Sequence, residues 1–237
     1  RQRRLVGVPA ANDFADPLRV LPRAGLHGQG QHRHGDPNRR LADPGNPWSN
    51  WGDGTVADGK YYSAIGDHRA ISRGNDKDST GNGHVYEYDP QTKQLRSLVD
   101  LIEVLKLPEG HYTPGKIHSR VDMGRDGWLY YGTHRGSPKA ANDENHYRGD
   151  WIFRTNPKTG QSEVVTISPV PKHSIPASIL DPDRLIFYGA TAAGPDAELQ
   201  GVQFFAYDLN DRKLLYAGPD GPNRYMMLAR STGRLYY

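Results

Sequence analysis

Along this chain a turn rich in Asp or Gly is repeatedly followed by a short aromatic strand. Lys60–Gly66 (KYYSAIG) follows Asp58-Gly59, and Trp128–Gly132 (WLYYG) follows Asp126-Gly127. Leu185–Gly189 (LIFYG) follows Asp181-Pro182-Asp183, and Arg234–Tyr237 (RLYY) follows Ser231-Thr232-Gly233. A second kind of hairpin alternates with the first, at His84–Lys93, Trp151–Gly160 and Gln203–Arg212. Each begins as an alternating apolar and polar strand and ends in an Asp or Asn turn. Hairpin plus hairpin makes a four-stranded antiparallel unit, recurring at roughly fifty to sixty-five residues, the span of a β-propeller blade. The expectation is an all-β chain: a β-propeller of four-stranded antiparallel blades, incomplete here at about three to four blades. A β-sandwich also has many short strands, but the fixed alternation of two hairpin types argues against it. One short helix is expected, over Val99–Leu107, where Leu and Ile fall at helical spacing.

The pattern begins near Asn46, which divides the chain into an atypical, basic and poorly ordered segment, 1–45, and a partial propeller, 46–237. Arg1, Arg3, Arg4, Arg19, Arg23, Arg33, Arg39 and Arg40 outweigh Asp13, Asp16 and Asp36 in the first segment. No nucleic-acid-binding motif follows it, so no nucleic-acid partner is expected. With 27 Gly and 18 Pro in 237 residues, the chain suits short strands and many turns. It has no Cys, which removes disulfides and thiol chemistry. No run of about eighteen apolar residues is present, so no membrane-spanning helix is expected.

The hairpin with the most chemistry is Lys116–Gly136, KIHSRVDMGRDGWLYYGTHRG. If Arg125–Gly127 form its loop, Gly124 pairs with Trp128, and pairing outward sets His118 opposite His134. Directly paired residues share a face at about 4.5–5.5 Å, so two imidazoles are predicted side by side at the open end. Arg120 lies two residues in on the same face, and Arg135 follows His134.

Equivalent ends of the other innermost hairpins supply the rest of one propeller rim. The first unit places His68 near Ser49 and Asn50, with Trp48 and Trp51 close by as packing or as a sugar-stacking platform. The third sets His173 or Ser174 against Thr191. In the fourth, pairing outward from Ser231–Gly233 puts Arg224, followed by Tyr225, at the position of His118. A repeated scaffold with varied rim residues is how one fold carries a site. His84, His111 and His146 read as ordinary hydrogen-bonded histidines, and Gly81-Asn82-Gly83 as a turn.

No nucleophile elbow, phosphate-binding Gly loop or zinc-binding helix motif is present. A rim of His, Arg and Tyr, poor in carboxylates, suits an anionic ligand, because Arg offers a two-pronged fork to a carboxylate or sulfate. It also suits proton abstraction alpha to a carboxylate followed by elimination across a glycosidic bond. Glycoside hydrolysis would call for a carboxylate pair instead.

The hairpin 116–136, the Arg224-Tyr225 pair and the propeller pattern resemble the β-propeller polysaccharide lyases that cleave uronate-containing polymers, such as ulvan lyases. That resemblance implies His118, His134 and Arg224 as counterparts of the working residues, with a Tyr that could be Tyr225, Tyr147 or Tyr207. It further implies an anionic polysaccharide as partner, and a secreted or periplasmic, monomeric protein. Oligogalacturonate lyases, also propellers, hold a metal with several His; here His68, His118, His134 and His173 are the cluster that could hold a divalent ion. A non-catalytic propeller binding a glycan or a protein is the alternative, and a lactonase-type metal propeller a more distant one.

Overall fold

A computed structural model of the chain describes residues 50–67, 81–136, 138–222 and 224–237. The segment 1–45, Trp48 and His68 lie outside the described residues.

The described chain forms antiparallel sheets in strict chain order. The first sheet is β1 (Thr55–Ala57), β2 (Lys60–Asp67), β3 (Asn82–Asp89) and β4 (Gln94–Asp100). The second is β5 (Asp122–Met123), β6 (Leu129–Gly132), β7 (Trp151–Thr155) and β8 (Ser162–Ile167). The third is β9 (His173–Asp181), β10 (Ile186–Ala193), β11 (Phe204–Asp208) and β12 (Lys213–Gly218). A final hairpin pairs β13 (Met227–Ala229) with β14 (Arg234–Tyr236). The first strand of each sheet touches the first strand of the next, β1 on β5, β5 on β9 and β9 on β13. Sequential sheets that meet through their first strands are the blades of a propeller, here an incomplete one. The sandwich alternative falls, because the second and third sheets each pack face to face with two neighbours rather than one.

Local chemistry explains the turns. Ala57 pairs with Lys60, leaving Asp58 and Gly59 as a two-residue loop, and both have positive φ, 50° and 73°. That is the type I′ geometry an Asp-Gly pair favours. At the second hairpin of each blade one carboxyl or amide oxygen accepts two backbone N–H groups. Asp89 Oδ1 caps Gln91 and Thr92, Asn156 Oδ1 caps Lys158 and Thr159, and Asp208 Oδ1 caps Asn210 and Asp211. These Asx turns fix the register of the outer strands. The outer pair of each blade also carries a bulge, after Val85, Ile152 and Ala206.

The core lies between blades. Because strand side chains alternate in direction, Tyr131 and Phe153 pack with Tyr62, Val85 and Val99 of the first blade. Their neighbours Tyr130 and Ile152 pack instead with Phe187, Phe205 and Tyr207 of the third. A third layer joins Tyr188 and Phe204 to Leu228 and Leu235. Burying one such side chain contributes about 1.5–3 kcal/mol.

Three local expectations are corrected. The helix, α1, covers only Leu101–Leu105; Val99 is claimed by β4, where it pairs with Val85, and Asp100 caps the helix by accepting from Glu103 N. Gly81-Asn82-Gly83 is no turn: Asn82 and Gly83 begin β3 and pair with Asp67 and Gly66. Thr191 does not face His173 or Ser174. A bulge after Ala190 sets Ser174 on Ala192 and His173 on Ala193.

Candidate functional site at one rim

The hairpin 116–136 closes as its turn chemistry requires. Gly124 N donates to Trp128 O, Gly127 takes a positive φ of 80°, and Met123 and Asp122 pair with Leu129 and Tyr130. Beyond Asp122 the ladder breaks. Ser119 Oγ accepts from Gly132 N and donates to Gly132 O at 2.8 Å, standing in for a backbone partner. The strand resumes two residues displaced, so the backbone of His134 pairs with Lys116 rather than with His118.

The side chains still converge. The rings of His118 and His134 lie 5.1 Å apart, tilted by 35°. His118 Nδ1 bonds to Pro176 O, and His134 Nδ1 bonds to Arg135 O at 2.7 Å. A carbonyl only accepts, so each Nδ1 carries the proton and each Nε2 keeps its lone pair. Burial depresses both imidazole pKa values, that of His134 strongly, with the Lys116 charge adding to the effect. The result is two adjacent imidazoles, both biased toward the neutral form.

Cations surround them. Lys116 Nζ stands 4.8 Å over the ring of Trp51, whose other contact is a stack on His118 at 5.7 Å. Burial, aided by the charges of Arg135 and Arg224, pulls the Lys116 pKa down to about 8. The Arg224 charge bears on both Lys116 and His118, lowering the pKa of each. It is exposed, and Tyr225 beside it is 82% exposed. Arg135 ties this rim to the third blade by donating from Nη1 to Ala193 O at 2.9 Å. Arg120 is ion-paired: its Nε stands 2.7 Å from Asp122 Oδ1.

Just beneath lies a carboxylate that sequence reasoning passed over. Asp150 is fully buried and receives hydroxyl donors from Thr133 at 2.7 Å, Tyr147 at 3.1 Å and Tyr112 at 3.2 Å. Burial raises its pKa to about 6 against those hydrogen bonds. Tyr147 is therefore spent on Asp150, and Tyr207 is buried in the packing between blades two and three. His173 is buried, its Nδ1 on Pro171 O at 2.7 Å and its Nε2 without a hydrogen-bond partner among the described residues. It does not join the imidazole pair: among the described residues no group of three or more His, Cys, Asp or Glu is placed to hold a metal. Lys116 was also missed, though it opens the very hairpin that carries the pair; the displaced register is what brings it alongside His134.

No protein-family model matches this sequence, and no curated protein matches it. Among solved structures, a GH43_1 enzyme from Xanthomonas citri complexed with xylose is similar over 72% of this chain and 54% of its own, with 12% identity and a TM-score of 0.44. An acylaminoacyl peptidase from Pyrococcus horikoshii covers 72% of this chain and 25% of its own, at 10% identity and a TM-score of 0.37. An oligogalacturonate lyase in complex with manganese covers 71% of this chain and 52% of its own, at 10% identity and a TM-score of 0.27. The chain thus spans about half the length of the first of these.

Proposed function

We propose that this chain is part of a carbohydrate-active propeller, a lyase that cleaves a uronate-containing polysaccharide by β-elimination, working as a secreted or periplasmic monomer. The observation that carries the reading is the pair His118 and His134, 5.1 Å apart, each with Nδ1 fixed on a carbonyl. In the proposed step one imidazole Nε2 takes the C5 proton, and the C5–H electrons form the C4=C5 double bond. The C4–O bond breaks, and the departing oxygen takes a proton from a second group. The second imidazole, once protonated, and the Tyr225 hydroxyl are the candidates for that group. Arg224 faces the substrate carboxylate and stabilises the charge that builds on it. Trp51, 42% exposed, offers a ring face for a sugar.

A glycan-binding module without turnover is the second reading. It is favoured by the tyrosines, since Tyr147 is committed to Asp150 and Tyr207 to the core. The test is absorbance of an unsaturated uronate product when the protein meets polygalacturonate or another uronate polymer. Turnover that falls about 10²–10⁴-fold in His118→Ala and His134→Ala is the expected result. Calorimetric binding without product supports the module, and neither binding nor product overturns both.

A further inference from the structure

We propose that Lys116 is the residue that makes this rim select an acidic sugar over a neutral one, by meeting the ligand's carboxylate beside the imidazole pair. The inference deepens the reading of the rim as a site for an anionic glycan and rests on it.

Placement comes first. Lys116 is locked to His134 by two backbone hydrogen bonds, 3.3 Å from Lys116 N to His134 O and 2.8 Å in return. Its stem is half-buried and its ammonium lies on the Trp51 face, which itself stacks on His118. The charge is therefore presented where a sugar resting against Trp51 would come within reach of His118.

Partnership comes second. Lys60 and Lys172 of this chain are held by Glu87 and Asp143, and Arg120 by Asp122. Lys116 forms no salt bridge among the described residues. Among the described residues, the titratable and charged groups that interact with it are Arg135 and Arg224, both cationic, the imidazoles of His118 and His134, and Asp150. Asp150 is already engaged by three hydroxyls. Three cations thus bear on one another here, and the carboxylate among the described residues that bears on Lys116 is occupied. A half-buried ammonium with no counter-ion among the described residues is disfavoured, and burial with the neighbouring charges lowers its pKa. An external carboxylate supplies the missing charge, and a lysine suits it as a compact point charge where Arg224 would bind as a fork.

The test is calorimetric binding of tetragalacturonate and of its carboxyl-reduced, neutral counterpart to the full chain and to Lys116→Met and Lys116→Arg. Wild type is expected to prefer the acid. Lys116→Met should weaken acid binding about 10- to 100-fold, the cost of losing one charge-assisted hydrogen bond, and leave the neutral sugar unchanged. Lys116→Arg should restore most of the preference. Wild-type affinity for the acid should also fall at alkaline pH, about tenfold per unit once Lys116 deprotonates, and this fall should vanish in Lys116→Arg. Acid binding by Lys116→Met at wild-type strength overturns the inference. If wild type binds neither glycan, the glycan reading fails, and site-resolved acetylation of the lysines with and without sulfate then decides about Lys116 itself. Sulfate raising the pH at which Lys116 is acetylated keeps it as an anion site; no shift removes it.

Discussion

Asp150→Asn offers a clean measure of how the buried charge beneath the rim is held. The carboxyl is fully buried, and its pKa rises from 3.8 to about 6 although three hydroxyls donate to it. That shift of roughly two units corresponds to about 3 kcal/mol at 1.36 kcal/mol per unit. Its folded pKa lies above its unfolded value, so between the two the folded chain holds the extra proton. Stability from this group is therefore full below about pH 4, is lost as pH rises toward about 6, and stays lost above. An Asn keeps an acceptor for Thr133 and cannot ionise, while its amide can donate to a tyrosine hydroxyl; the mismatch costs about 0.5–1.5 kcal/mol. The variant should thus be slightly less stable than wild type near pH 4 and about 1.5–2.5 kcal/mol more stable near pH 8. Urea unfolding of both proteins across that range, followed by intrinsic fluorescence, reads the difference. Taking the difference cancels the histidines, whose lowered pKa values act the other way. A variant-minus-wild-type difference that stays constant with pH, or that favours wild type more at high pH, would refute the reasoning.

His118 and His134 titrate below the usual imidazole value in the folded chain, so the stability they contribute is present above about pH 6.5 and lost as pH falls through their folded values. Double replacement His118→Gln/His134→Gln should flatten the acid limb of a stability profile measured by thermal unfolding. Ser119→Ala strands both backbone groups of Gly132 and should cost about 1–3 kcal/mol in denaturant titration, far more than an exposed Ser→Ala. Phe153→Ala empties a fully buried site between the first and second blades and should cost about 3–5 kcal/mol by the same assay. Gly132→Ala puts a methyl 3.0 Å from the Ile175 side chain and should cost about 1–3 kcal/mol by overpacking.

Much of the scaffold was legible because its signals are local. The Asp58-Gly59 loop, the Gly124–Trp128 closure and the Asx turns at Asp89, Asn156 and Asp208 each depend on a few adjacent residues. The nearness of His118 and His134 was legible too, yet by a route the pairing rule did not contain. Counting outward from a turn assumes an unbroken ladder, and Ser119 breaks it by side-chain hydrogen bonding, which alternation does not encode. The same assumption failed at the bulge after Ala190, which moved His173 from Thr191 to Ala193. Lys116 looked like a strand-end lysine, and its setting became visible only once Trp51 and Arg135 arrived from distant sequence. Asp150 sits in a Gly-Asp-Trp segment of no special composition at the start of β7; what distinguishes it is the convergence of Tyr112, Thr133 and Tyr147.

The opposed facing of Tyr130 and Tyr131 reaches into how the molecule opens. Adjacent residues of one strand anchor different neighbours, so the second blade is clamped on both sides. Amide exchange should then be slow in β6 and β7, which cannot open without parting two packed layers at once. The imidazole pair hangs from that doubly held sheet, so its geometry outlasts local opening elsewhere.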